Sequence, residues 1–178
     1  MPPITVVFVI TGLAVWLNGL AFLGIGTKQT EGSPSPLVTV GWVTLAAGIV
    51  DLINAVWIVQ KLFGGDASDV GVRLAGLVTF YGIFFLALGV SLVKGLDLQP
   101  IGNLAVGVAL VPLAWIPFFD GGWMFKSILI VWVASFLSVT AVIYGKLKGQ
   151  VLGAVLVFTA LYTFLLPAAI LGSGHTIP

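Results

Sequence analysis

Six long apolar stretches, at about residues 4–26, 37–60, 74–93, 98–119, 123–145 and 150–172, are separated by short polar gaps along this chain. At about 1.5 Å of helical rise per residue, roughly 20 apolar residues cross a hydrocarbon core about 30 Å thick. The pattern therefore predicts six membrane-spanning helices and an all-α integral membrane fold in one domain, residues 1–178. The gaps hold turn formers: Thr, Ser, Gly and Pro at 27–36, Gly64 to Asp69, Gly95 to Pro100 and Asp120-Gly121-Gly122. Connections this short make consecutive helices antiparallel neighbours. The start, Met1-Pro2-Pro3 running into Ile4, lacks the basic region and cleavage pattern of a signal peptide, so the first stretch is expected to remain as a span.

Composition sharpens this picture. Hydrophobic residues make up 60% of the chain and charged ones 7%, whereas soluble domains carry about 25% charged residues. Apart from Asp51, the charges lie in the gaps or near the ends of the stretches. With so little chain outside the helices, activity is expected within the bundle or at its mouths, and no enzyme chemistry is indicated. The net charge of +1 and the lack of a basic run argue against a nucleic-acid partner. No cysteine and a single histidine, His175, leave no ligand set for zinc or haem, so neither a metal nor a cofactor is expected. The first, third and fifth loops hold Lys28, Lys94, Lys146 and Lys148, against Lys61, Arg73 and Lys126 on the other face. That bias favours termini outside the cytoplasm.

Several side chains could carry chemistry. Asp51 is a carboxyl within a span, where insertion costs roughly 2.5–3.5 kcal/mol. It is either a proton-relay or solute-contacting group, or a hydrogen-bonded carboxyl tying helices together, with Asn54 one turn on as a possible partner. Trp132 and Phe136 stand four apart on the fifth stretch, and Tyr81 and Phe85 on the third, so each pair shares a helical face. These rings are either lipid-facing filler or the walls of a constriction. Thr159, Tyr162 and Thr163 form a polar stripe that glues helices or lines a path. Ile4, Phe8, Gly12, Val15 and Asn18 recur at helical spacing on the first stretch, and Gly82 and Gly89 suit a close helix approach on the third.

The chain resembles the AmiS/UreI family of bacterial urea and short-chain amide channels. The likeness rests on Asn18-Gly19, Tyr81-Gly82, Gly95-Leu96-Asp97 with Pro100, Val111-Pro112, Trp132 with Phe136, and Pro167-Ala168. It implies a six-helix bundle with a solute pore through each protomer, a hexameric ring in the bacterial inner membrane, and periplasmic termini. It also implies a constriction of Trp132, Phe136, Tyr81 and Phe85, with Ile4, Phe8 and Val15 in the apolar lining and Thr159 at the place of a buried glutamate. Acid-gated members carry histidines in their periplasmic loops. The absence of histidine between Lys61 and Arg73 points to the amide-transporting branch.

The resulting expectation is a passive channel for urea and short aliphatic amides, feeding a cytoplasmic amidase or urease. An ion entering a path with so few polar groups would go uncompensated for its lost water, at a cost of tens of kcal/mol by Born reasoning. Two other readings stand beside it: a proton-coupled transporter using Asp51, and a non-transporting membrane subunit.

Overall fold

The computed structural model describes residues 3–29, 32, 34–63, 69–118 and 122–178. The turns expected at 64–68 and 120–121 lie outside the described residues. Among the described residues six helices follow in order: α1 (Pro3–Phe22), α2 (Pro36–Phe63), α3 (Asp69–Lys94), α4 (Gln99–Trp115), α5 (Trp123–Ile143) and α6 (Gly149–Gly172). Five are long and apolar enough to cross a membrane. The fourth is shorter, at 17 residues, and continues into a 3-10 turn at Ile116–Phe118.

The helix ends depart from the apolar limits for local reasons. α1 stops at Phe22 rather than near 26, because Gly24 takes φ 78°, a left-handed value that ends a helix. α3 begins at Asp69 rather than 74, since headgroups and water let a helix continue past the hydrocarbon. α4 ends at Trp115 and passes into the 3-10 turn, where Pro117 has no N–H to carry the α-helical ladder back to the Leu113 carbonyl.

Each helix packs on its sequence neighbours, and all three segments of α6 return to α1. The helices thus close a ring, which leaves a lumen at its axis. Large apolar side chains such as Ile53, Leu110, Ile130 and Phe158 point outward, a surface suited to lipid rather than water. Lipid gives helices no hydrophobic reason to associate, so close packing and hydrogen bonds must hold the ring. The tightest approach is between α2 and α3, where Gly48 and Gly89 lie directly against the opposite backbone. At the far end of α3, Trp115 Nε1 donates to the Arg73 carbonyl at 2.8 Å and ties α4 to it.

α6 is not uniform. It is α-helical over Gly149–Thr159, π-helical over Ala160–Leu165 and α-helical again over Leu166–Gly172. Pro167 has no N–H for the Thr163 carbonyl and crowds it. The hydrogen-bond register just before it shifts, so that Leu166 N–H reaches back five residues to the Leu161 carbonyl.

Candidate functional site

Aromatic side chains from three helices meet across the lumen. Tyr81 of α3 lies edge-on to Trp132 of α5, with centroids 4.7 Å apart, and stacks on Phe136 at 5.4 Å. Trp132 stacks in turn on Phe164 of α6 at 5.2 Å, and Phe84 meets Phe136 edge-on at 4.8 Å. All five are buried.

This cluster divides the lumen into two chambers. The larger, about 330 Å³, is lined by Val15 and Asn18 of α1, Phe84, Phe85 and Leu88 of α3, Ser135 and Phe136 of α5, and Leu152, Leu156 and Thr159 of α6. The smaller, about 20 Å³, is lined by Ile4, Phe8 and Thr11 of α1, Asp51 of α2, Leu74 and Leu77 of α3, and Phe125 of α5. Tyr81, Trp132 and Phe164 face both and form the partition. The larger chamber lies toward the loops that join α1 to α2, α3 to α4 and α5 to α6; the smaller lies toward the two chain ends.

A polar ladder between α5 and α6 fixes the partition. Trp132 Nε1 donates to Thr163 Oγ1 at 2.8 Å, and Thr163 Oγ1 donates to the Thr159 carbonyl at 2.7 Å. Ser135 and Thr159 hydroxyls meet at 2.7 Å, as do those of Ser127 and Tyr162 at 2.6 Å. The α6 stripe therefore joins helices, and Thr159 also lines the larger chamber. Because the indole N–H is taken, Trp132 offers the lumen its apolar ring. Thr163→Val keeps the shape and strands that N–H, which should cost about 1–3 kcal/mol; a lowered thermal midpoint in detergent is the measurement.

Asn18 is held on the opposite wall. Its Nδ2 donates to the Ala14 carbonyl at 2.8 Å and to Thr44 Oγ1 at 2.7 Å, which commits both amide hydrogens. Oδ1 is left as the acceptor of this chamber-lining side chain. Asp51 is fully buried, with Thr11 Oγ1 at 2.9 Å from Oδ1 and 2.8 Å from Oδ2. Among the described residues, no group of three or more His, Cys, Asp or Glu comes together.

Most of the residues singled out in the sequence meet in the lumen. Trp132, Phe136 and Tyr81 are in mutual contact or share a partner, and Phe85 lies beside Phe84 at 5.6 Å. Ile4 and Phe8 border the smaller chamber; Val15, Asn18 and Thr159 border the larger. One expectation changes. Asn54 does not bond Asp51: its Nδ2 donates to the Val50 carbonyl of its own helix, and the carboxyl turns to Thr11. Gly12, in the same helical series as Phe8 and Val15, packs on α6, where an added Cβ would sit 2.8 Å from Phe164 Cβ. Phe84, Phe164, Thr11 and Ser135 are additions. Phe84 stands three residues after Tyr81, a signal that the four-residue pairs obscured.

Comparison with curated proteins finds no match. Among solved structures, this fold is similar to a cryo-EM structure of the Helicobacter pylori urea channel in a closed state, with a TM-score of 0.80 and 13% identity over 98% of this chain and 100% of that one. A crystal structure of the urea channel from the same gastric pathogen is similar at TM-score 0.80 and 14% identity, over 97% and 99%. Identities this low speak for the fold alone. The sequence profile of AmiS/UreI family transporters, however, matches residues 4–175. With nearly the whole chain matched, this protein belongs to the AmiS/UreI family of transporters.

Proposed function

We propose that the protein is a passive channel for urea and short aliphatic amides, with the path running along the ring axis between the two chambers. The observation that carries this reading is the partition of Tyr81, Trp132 and Phe164, joined by Phe136 and Phe84. Flat, largely apolar faces suit a planar neutral solute and offer an ion nothing in exchange for its hydration shell. Asn18 Oδ1 supplies an isolated acceptor in the larger chamber, enough to orient an amide N–H without trapping it. The family assignment supports the same reading, as do the urea channels of the same fold.

On this reading the chain is one membrane domain in a bacterial inner membrane, with periplasmic termini and a hexameric ring of protomers. The larger chamber then opens toward the cytoplasm, where an amidase or urease would consume the solute. The scarcity of histidine favours the amide-carrying branch over an acid-gated one.

The test is stopped-flow light scattering of proteoliposomes under an acetamide or urea gradient, with and without a pH gradient. Expected is protein-dependent flux that follows the solute gradient and ignores the proton gradient. Flux driven by the pH gradient would replace the channel with a coupled transporter, and no flux would leave a non-transporting subunit.

A further inference from the structure

Asp51 and Tyr81 present the same anomaly from two sides of one small space. Thr11 has a single hydroxyl proton to give the Asp51 carboxyl, which has room for about four hydrogen bonds. Leaving the rest unmade within a membrane is costly. The Tyr81 hydroxyl is buried and has no hydrogen-bond partner among the described residues. Both residues line the chamber of about 20 Å³. A helical side chain leans toward its preceding turn; for Tyr81 that turn holds Leu77 and Val78, which line the same chamber. The hydroxyl end of the ring is therefore on the chamber side of the partition. Across the gap, Asp51 Cβ lies 3.2 Å from where a Cβ on Gly82 would stand, next in sequence to Tyr81. A space of about 10–15 Å³ with two to four polar partners suffices for one water, so this chamber takes one small polar group and no more.

We propose that Asp51, Thr11 and Tyr81 form a carboxamide-reading subsite on the chain-end side of the aromatic partition. The Asp51 carboxyl accepts an amide N–H while Thr11 holds its other oxygen, and the Tyr81 hydroxyl donates to the solute carbonyl. The –NH₂ head alone fits the chamber; the rest of the planar solute lies among the ring faces. Between passages one water occupies the place. This subsite rests on the channel reading and adds to it a chemical reason for preferring primary amides and urea over neutral solutes of equal size.

Three isomers separate the two roles: propionamide with two N–H groups, N-methylacetamide with one and N,N-dimethylformamide with none. The full chain is reconstituted in vesicles, permeabilities are read by stopped-flow scattering, and protein-free vesicles are subtracted. For the wild type the expected order is propionamide, then N-methylacetamide, then dimethylformamide. In Asp51→Asn, Thr11 keeps the carbonyl oxygen and the new –NH₂ faces the chamber, so the advantage of the N–H solutes falls by about three- to tenfold. Tyr81→Phe lowers all three rates by about three- to tenfold and leaves their order intact. Because it removes only an unpartnered hydroxyl, it should fold as the wild type does, which keeps the test open if Asp51→Asn fails to insert. Wild-type order in Asp51→Asn, or wild-type rates in Tyr81→Phe, overturns the subsite while channel function stands. A folded Asp51→Asn that passes none of the isomers also overturns it, in favour of obligatory proton coupling. A wild type that passes neither these solutes nor acetamide removes the channel reading and the subsite with it.

Discussion

Gly48→Val is expected to leave little folded protein in the membrane, because it forces apart the two helices on which the smaller chamber depends. A Cβ at Gly48 would collide with the Leu86 nitrogen and lie 2.8 Å from the Gly82 carbonyl oxygen and 2.9 Å from Leu86 Cα. All three are backbone atoms, which cannot rotate out of the way as a side chain could. From the other helix, a Cβ on Gly89 would lie 2.6 Å from Leu45 Cα. The contact is thus glycine to backbone in both directions, and α2 and α3 can only separate as rigid rods. Overpacking costs roughly 1–3 kcal/mol where side chains can adjust, and here the cost should reach or pass the upper end. Since lipid supplies no hydrophobic drive to reclose the helices, the lost contacts are not recovered elsewhere. The displacement also acts on the site, because Asp51 stands one turn beyond Gly48 and Tyr81 precedes Gly82. The measurement is the monodisperse yield after detergent extraction and the thermal midpoint of what survives. Gly107→Ala is the matched comparison: nothing lies within 4 Å of its Cβ position in α4, so only the helix preference of alanine acts, about 0.5–1 kcal/mol in favour of folding. Equal behaviour of the two variants would contradict the close packing of α2 on α3.

The spans were legible because lipid imposes a simple rule: apolar length maps onto crossing length. Helix ends were less so, since Asp69 and its neighbours extend α3 on backbone hydrogen bonds that hydropathy does not report. The face that Gly82 and Gly89 share on α3 was visible from their seven-residue spacing, and the structure turns it onto α2. Three of the five rings of the partition, Tyr81, Trp132 and Phe136, followed from four-residue spacing, which paired Tyr81 with Phe85 and Trp132 with Phe136. Phe164 could not be found that way. It stands five residues after Thr159, about 140° away on an α-helix of 3.6 residues per turn, yet both side chains line the larger chamber. The π-helical segment between them takes up that difference, and its cause, Pro167, is plain in the sequence while its effect on register is not. Thr11 was missed for a similar reason. A threonine within a span ordinarily bonds its own helix, as Thr44 does to the Val40 carbonyl, and only the register in which α1 packs on α2 brings Thr11 within reach of Asp51.

Trp132→Ala should change transport more than any other single substitution in the lumen, and its direction follows from where the ring sits. Trp132 touches Tyr81 on one side and Phe164 on the other, so its removal joins the two chambers instead of hollowing out a sealed core. In a dry interior, Trp→Ala costs about 3–5 kcal/mol; here water can enter the vacated space, and Thr163, freed of the indole, can hydrogen-bond it, so the loss of stability should be smaller. The constriction meanwhile loses the flat face that distinguishes a planar amide from a bulkier neutral solute. Expected is faster acetamide flux together with at least a tenfold loss of discrimination against glycerol, a difference of about 1.4 kcal/mol between the two barriers. Trp132→Phe should fall between, since it restores a ring without the N–H that Thr163 holds. Wild-type rates and wild-type discrimination in a folded, inserted Trp132→Ala would mean that solute does not pass this ring, and the helix-five aromatics would return to being packing for the bundle.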